Sequence, residues 1–297
     1  MSVDSLTALT QPQRDRLAFI ELRLRFLGEI RRQDLVSRFG IQAAAATRDI
    51  AQYKALAPGN LEYDTKGKVY VRAARIAPLF DFPVERVLTW FSQGYGDTEP
   101  TRFRGLIATE GSRLSGRGNL ELLSTLTRAI HHRAALGIAY RSLSSGLSTR
   151  EIVPFALANS GLRWHLRAFD RRSGEFRDFV LDRFDDASLL PDEIADHETP
   201  AQDIQWNRVA ELEFVPHPSN VRHPATIEAE YGMENGVLKV RARAAMTGYL
   251  LRHWNVDCTA DHSLKGGEYH LWLRNRLALY GIANLVLAPG YKPEKED

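Results

Sequence analysis

Residues 32–53 read RQDLVSRFGIQAAAATRDIAQY, and this stretch decides the N-terminal fold. Arg32 to Phe39 forms a short helix with Leu35, Val36 and Phe39 on one face. Gly40 and Ile41 make a tight turn: glycine takes a left-handed backbone freely, and Ile41 returns a side chain to the core. A further helix runs from about Gln42 to Tyr53, with Ala45, Ile50 and Tyr53 facing inward. The small residues Ala43, Ala44 and Ala46 let another surface approach closely. Upstream, Arg14 to Gly28 carries Leu17, Ile20, Leu24 and Leu27 at helical spacing, and Gly28 suits the helix end. This is a helix-turn-helix layout, in which the helix after the turn enters a major groove.

The segments that follow extend the pattern. Leu61–Asp64 and Val69–Arg72 are strand-like and flank Thr65-Lys66-Gly67-Lys68, a hairpin with a basic, glycine-containing tip that matches a wing. Lys66 and Lys68 would lie near phosphates, while Arg48, Thr47 and Gln42 reach base edges. Ala43, Ala44, Arg31 and Arg32 complete the candidate DNA-binding set. A small helical bundle with a hairpin and no DNA role is the bland alternative. Helix, turn, helix and basic wing in the correct order favour the winged helix.

Charge supports this only when read along the chain. The 297 residues hold 39 Lys and Arg against 37 Asp and Glu, a formal balance of +2. Apolar residues make up 44% and charged residues 26%, which excludes a disordered or fibrous chain. Residues 1–76 carry thirteen Lys and Arg against eight Asp and Glu. Asp182 to Asp203 has eight acidic residues against the single Arg183, with Pro191 and Pro200, and reads as a solvated linker. One cysteine, Cys258, excludes an internal disulfide or paired-cysteine zinc site. Met1 to Gln13 is polar, so no signal peptide is expected, and the apolar runs fall short of the ~20 residues of a spanning helix. A cytoplasmic protein with no membrane partner is expected.

Residues 77–122 read as a helical connector: Pro78 and Pro83 punctuate its start, and Val84 to Phe91 is a short amphipathic helix. Gly94, Gly96, Gly111, Gly116 and Gly118 make the remainder loop-rich. Leu122 to His132 is helical. Strand-like runs then recur at Gly137–Arg141, Arg150–Pro154, Leu162–Phe169 and Arg177–Leu181, separated by Ser- and Gly-containing turns. This spacing argues for a small antiparallel barrel. Arg141, Arg150, Arg163, Arg167, Arg177 and Arg183 punctuate it.

Tyr140-Arg141-Ser142, Arg150, Pro154, Trp164-His165-Leu166-Arg167-Ala168, Arg177-x-Phe179 and Arg183-Phe184 resemble the WYL domain. His165 stands where that family usually has Tyr, and Phe184 where it often has Ile. The resemblance implies an Sm-like (SH3-type) β-barrel behind a winged helix. It also implies a pocket for a nucleotide or oligonucleotide effector, built from Tyr140, Ser142, Ser144, Arg150, His165, Arg167, Arg177 and Arg183. Guanidinium groups bind phosphate bidentately, and Tyr and His stack on bases. The alternative pairs these arginines with Glu151, Asp170, Glu175 and Asp178 as strand charges.

Beyond the acidic stretch, Val209–Val215 and Gly236–Ala245 read as strands; Tyr249–Asn255, Leu271–Tyr280 and Ala283–Leu287 read as helices. Leu212-x-Phe214, Pro216-His217-Pro218 and Ile227–Met233, with Arg48-Asp49-Ile50, resemble the BrxR/CapW type of phage-defence-associated repressor over nearly the whole chain. That resemblance implies a homodimer joined through the C-terminal extension, a pseudo-palindromic double-stranded DNA operator, and repression of a phage-defence operon. The expected fold class is multidomain α+β. Its parts are a winged helix-turn-helix (1–76), a helical connector (77–122), a WYL ligand-sensing barrel (123–190), an acidic linker (191–203) and a C-terminal α/β dimerisation extension (204–297).

Catalysis finds no motif. The sequence has neither a Gly-x-Ser-x-Gly elbow nor a P-loop. His217 with His223, or His253, Cys258, His262 and His270, lack metal-ligand spacing. No catalytic residue, metal or cofactor is expected. The competing reading is an RNA- or single-strand-binding accessory protein whose barrel is the main nucleic-acid surface.

Overall fold

The computed structural model describes residues 9–93 and 119–292. The chain divides into two compact units: Met1–Ala134 with Asp186–Leu189, and Ala135–Asp185 with Leu190–Asp297. No helix among the described residues is long and apolar enough to cross a membrane.

The first unit is organised around α1 (Gln11–Phe26). Leu17, Ala18, Phe19, Ile20, Leu22, Leu24 and Phe26 are all buried, so this helix is apolar nearly all round and packs on several sides. Against it lie α2 (Arg32–Phe39), α3 (Ala43–Leu56) and α5 (Leu120–His132). A helix end leaves carbonyls unpaired. Here the Ser124 hydroxyl donates to the Arg25 carbonyl, and Thr127 Oγ1 donates to the Phe26 carbonyl at 2.7 Å. Gly28 follows with φ +87°, and a Cβ there would come within 2.8 Å of His132 Nε2. Gly40 closes α2 in the left-handed region at φ +63°.

In α3 the inward positions are Ala46, Asp49, Ile50 and Tyr53. Ala46 therefore replaces Ala45 in the core and is not open surface, because it lies one turn ahead of Ile50 on the same face. β2 (Leu61–Asp64) and β3 (Val69–Arg72) form the expected hairpin, and β1 (Glu29–Ile30) joins to give the order β1-β3-β2. α4 spans Val84–Gln93; the glycine-rich remainder of the expected connector, 94–118, lies outside the described residues.

The second unit begins with β4 (Leu136–Ser142), β5 (Gly146–Asn159), β6 (Trp164–Asp170) and β7 (Glu175–Val180); β8 (Phe184–Leu189) follows in the chain, its residues Asp186–Leu189 belonging to the first unit. Their order is β7-β6-β5-β4-β8. Among the described residues these strands form one five-stranded sheet, and no closed barrel is found. C-terminal side chains cover β6. β5 bends at a bulge between Pro154 and Ala156, where proline has no N–H for the ladder.

The acidic stretch is largely exposed, but two of its acids are buried against arginines. Arg171 Nε donates to buried Glu198 at 2.7 Å, and Nη1 donates to Asp192 at 2.9 Å. Asp203 is also buried, on Arg167. Asp192 and Glu198 thus neutralise Arg171, and Asp203 neutralises Arg167.

The C-terminal part is a three-stranded sheet ordered β10-β9-β11, from β9 (Val209–Pro216), β10 (Leu238–Arg243) and β11 (Leu271–Leu273). α6 (Ile204–Asn207) precedes it, and α7 (Pro224–Tyr231) and α8 (Ala244–His253) pack with it. The helix expected over 271–280 is instead β11 and a 3-10 turn, Arg276–Leu279. Leu271 and Leu273 alternate onto the core, and Asn275 ends the strand by accepting from the Glu213 N–H (2.9 Å) and donating to the Glu211 carbonyl (2.9 Å). Likewise 283–287 holds a 3-10 turn, Leu285–Leu287, and the helix expected over 249–255 begins earlier, at Ala244. His217 has both ring nitrogens committed: Nδ1 accepts from the N–H groups of Ser219 and Asn220, and Nε2 donates to Asp257 at 3.0 Å. Burial pushes the Cys258 thiol up to about 12.

Candidate nucleic-acid interface

The turn at Gly40 aims α3 outward from a fixed base. Gln42 precedes the helix in extended conformation, and its carbonyl accepts from the Ala45 and Ala46 N–H groups at 2.9 and 3.1 Å. With Ala46, Asp49, Ile50 and Tyr53 turned inward, Gln42, Ala43, Ala44, Thr47 and Arg48 are left exposed together. The Thr47 hydroxyl donates back to the Ala43 carbonyl at 3.0 Å. Arg48 makes no ion pair among the described residues, so its guanidinium is available.

Two polar anchors hold this helix, and neither was expected from the sequence. Arg16 of α1 grips Asp49 with two hydrogen bonds, 2.7 and 3.3 Å. Buried Glu21 accepts from Tyr53 (3.1 Å) and from the N–H groups of Leu79 (2.8 Å) and Phe80 (3.0 Å). Burial raises the Glu21 carboxyl, although these hydrogen bonds oppose the shift. The available signal was an acid at an inward helical position, with an arginine on α1.

At the wing tip, Lys66 and Lys68 are exposed. The Lys66 N–H donates to Asp64 at 2.9 Å, and Lys68 adopts φ +50°. A Cβ at Gly67 would come within 2.6 Å of the Asp64 carboxylate, which would have to shift to admit it. Arg31 Nη1 donates to the Gly67 carbonyl at 3.1 Å, linking the start of α2 to the wing. Arg31 and Arg32 are both exposed. The structure thus brings all nine expected DNA-facing residues to the surface of one winged helix.

The expected effector residues are distributed differently. Tyr140 is a core residue: its ring packs edge-on against Phe179 and Phe184, and its hydroxyl accepts from the Val180 N–H at 3.1 Å. Ser142 and Ser144 lie 3.0 Å apart at the β4–β5 turn. Arg150 pairs with buried Asp170 at 2.8 Å, and Arg177 with Glu175 at 2.8 Å. Arg167, 5% exposed, takes Asp203 with two bonds (2.8 and 3.1 Å) and Asp178 with a third (3.1 Å). Three of the eight expected residues, Arg150, Arg167 and Arg177, are therefore paired with carboxylates, and Tyr140 is packed in the core.

Of the remaining residues His165 is buried, at 4% exposed. Its ring lies 4.7 Å from that of Tyr249, whose hydroxyl donates to Asp178 at 3.1 Å. His165 Nδ1 has no hydrogen-bond partner among the described residues. Burial lowers its basicity, and the charges of Arg163 and Arg183 act in the same direction. Neither arginine makes an ion pair among the described residues. Tyr249 and Asp203 went unnoticed because they come from segments distant in sequence and carry no local pattern.

Three family models match the chain. The BrxR transcriptional regulator winged helix-turn-helix domain matches residues 12–93, the WYL domain 121–189, and the BrxR transcriptional regulator C-terminal dimerization domain 209–279. The DNA-binding transcriptional repressor CapW of Escherichia coli (strain KTE188) is 32% identical over 279 residues, covering 91% of each chain. CapW of Stenotrophomonas maltophilia is 34% identical, covering 84% of this chain and 85% of that protein. A solved structure, proteasome accessory factor B/C (PafBC) of Arthrobacter aurescens, is 16% identical with a TM-score of 0.27. It covers 79% of this chain and 44% of that one, a likeness too distant to argue from.

Proposed function

The chain belongs to the BrxR/CapW family of DNA-binding transcriptional repressors, and on that premise we propose that it silences a phage-defence operon as a homodimer on a pseudo-palindromic operator. The observation carrying this reading is the shared exposure of Gln42, Ala43, Ala44, Thr47 and Arg48 on α3, beside a wing tipped by Lys66 and Lys68. A helix presenting small residues and one unpaired arginine fits the major groove closely and reads a guanine edge bidentately. The wing lysines contact phosphate, which adds affinity without adding sequence preference.

We further propose that an anionic effector of nucleotide type acts at His165. Arg163 and Arg183 supply charge there, and the unpaired Nδ1 supplies a polar contact within a buried setting. Tyr249 and Asp203 belong to the C-terminal segments, so occupancy at His165 would disturb bonds that tie the WYL sheet to them.

One mobility-shift series tests both parts, using duplex from upstream of the chain's own operon. Arg48→Ala should abolish retention over competitor DNA. Lys66→Ala or Lys68→Ala should weaken every duplex alike and lower the salt slope by roughly one. Short oligonucleotides or cyclic nucleotides added to the complex should release DNA, and Arg183→Ala should block release. Unchanged duplex binding in Arg48→Ala, with loss in Arg167→Ala, would favour the single-strand-binding alternative.

A further inference from the structure

Three arginines from separate elements of the first unit gather around Gly28: Arg25 in the last turn of α1, Arg72 at the end of β3, and Arg128 in α5. The Gly28 carbonyl accepts from the Arg72 N–H at 2.8 Å, and a Cβ on Gly28 would lie 3.6 Å from Arg128 Cδ. One carboxylate, Glu121, stands among them. It accepts from Arg25 Nη2 at 2.7 Å, and its other oxygen is 3.6 Å from Arg72 Nη2. Arg128 donates from Nε to the Ser124 carbonyl and from Nη2 to Thr125 Oγ1, both at 3.1 Å, and makes no ion pair among the described residues.

The cluster is under-compensated in charge and in hydrogen bonds. Three guanidinium groups meet one carboxylate, a local excess of two positive charges. The side chains of Arg25 and Arg72 are only 7% and 12% exposed, whereas that of Glu121 is 60% exposed. Arg25 Nε and Arg72 Nε are buried with no hydrogen-bond partner among the described residues. Burial lowers the basicity of Arg72 and Arg128, and the charge of Arg25 on the first and of Arg72 on the second acts the same way. Buried charge of this kind is costly unless an anion and its acceptor oxygens meet it.

We propose that Arg25, Arg72 and Arg128 form a binding site for a dianionic phosphate group, free or as a monoester, with Glu121 yielding to it on the solvent side. A phosphate monoester carries close to two negative charges at neutral pH and offers three acceptor oxygens, which matches both deficits. Planar guanidinium forks suit that geometry. Arg72 lies at the end of β3 away from the wing tip at 65–68, and the site shares no residue with the α3 surface or with His165. A bound phosphate would tie α1, β3 and α5 together.

The test is calorimetric titration of the full chain with inorganic phosphate and with adenosine 5′-monophosphate, at ionic strength matched by sodium chloride. Phosphate should bind wild type and raise its melting temperature. Arg72→Gln and Arg128→Gln should each weaken binding by about tenfold or more. Glu121→Gln keeps an oxygen for Arg25 but removes the competing charge, so it should tighten binding by about tenfold. Adenosine monophosphate binding as well as phosphate assigns the site to a monoester, and its exclusion assigns free phosphate. No binding to wild type, or a Glu121→Gln chain that binds no more tightly, overturns the site. Affinity that survives Arg72→Gln and Arg128→Gln but falls in Arg183→Ala overturns it too, placing the anion at His165. Glu121 is exposed, so its arm decides the matter even where replacing a buried arginine unfolds the chain.

Discussion

Glu198 illustrates how a single residue changes meaning between sequence and structure. Within a run of acids it looks like solvated charge, yet it is buried and held by Arg171 through two hydrogen bonds, 2.7 and 3.1 Å. Those bonds from Arg171 pull its carboxyl below the ordinary value of 4.5, against the opposing effect of burial. Because the folded value is the lower one, the carboxylate adds stability above pH 4.5 and loses it as pH falls through the folded value. Glu198→Gln should therefore cost about 2 kcal/mol at pH 7, with the gap to wild type narrowing at pH 3. Urea midpoints at the two pH values check this, and a gap that persists at pH 3 contradicts it. Individual residues were legible where the backbone demands them. Gly40 is an example, because a left-handed turn leaves little choice. Partners distant in sequence, such as Asp203 for Arg167, were illegible because no spacing encodes them.

At the scale of elements, α3 is set by two kinds of force. Apolar periodicity fixes its rotation, and that periodicity is written in the sequence. Its seating on α1 depends on the Arg16–Asp49 pair, which charge counting does not reveal. Asp49→Ala leaves Arg16 largely buried and unpaired, and should lose about 3 kcal/mol in urea unfolding. Arg16→Ala with Asp49→Ala should be no worse than Asp49→Ala alone; additive losses would show that the two side chains do not act together. The helices and hairpin of the winged helix were legible because local rules determine them. Leu271–Tyr280 misled because leucines spaced for a helix also fit a three-residue strand followed by a 3-10 turn. The choice was made by pairing with β9, far away in sequence.

At the scale of the whole molecule, the formal balance of +2 conceals separate roles. Arg48, Lys66 and Lys68 make no ion pair among the described residues, while Arg150, Arg167 and Arg171 later in the chain meet carboxylates. Glu198 and Asp203 therefore serve the fold. They leave the N-terminal cations to govern contact with DNA, which predicts modest non-specific affinity and selectivity that depends on α3. The order of parts was legible from motifs. The covering of β6 was not, because its partners Asp203 and Tyr249 come from distant segments.

The most direct test is a hydroxyl-radical footprint of the full chain on the DNA upstream of its operon. A dimer placing one α3 in each half-site predicts two symmetric protected patches, with centres about one helical turn (10–10.5 base pairs) or a multiple apart. Both should vanish together in Arg48→Ala. A single patch, or protection that survives this substitution, would contradict the account.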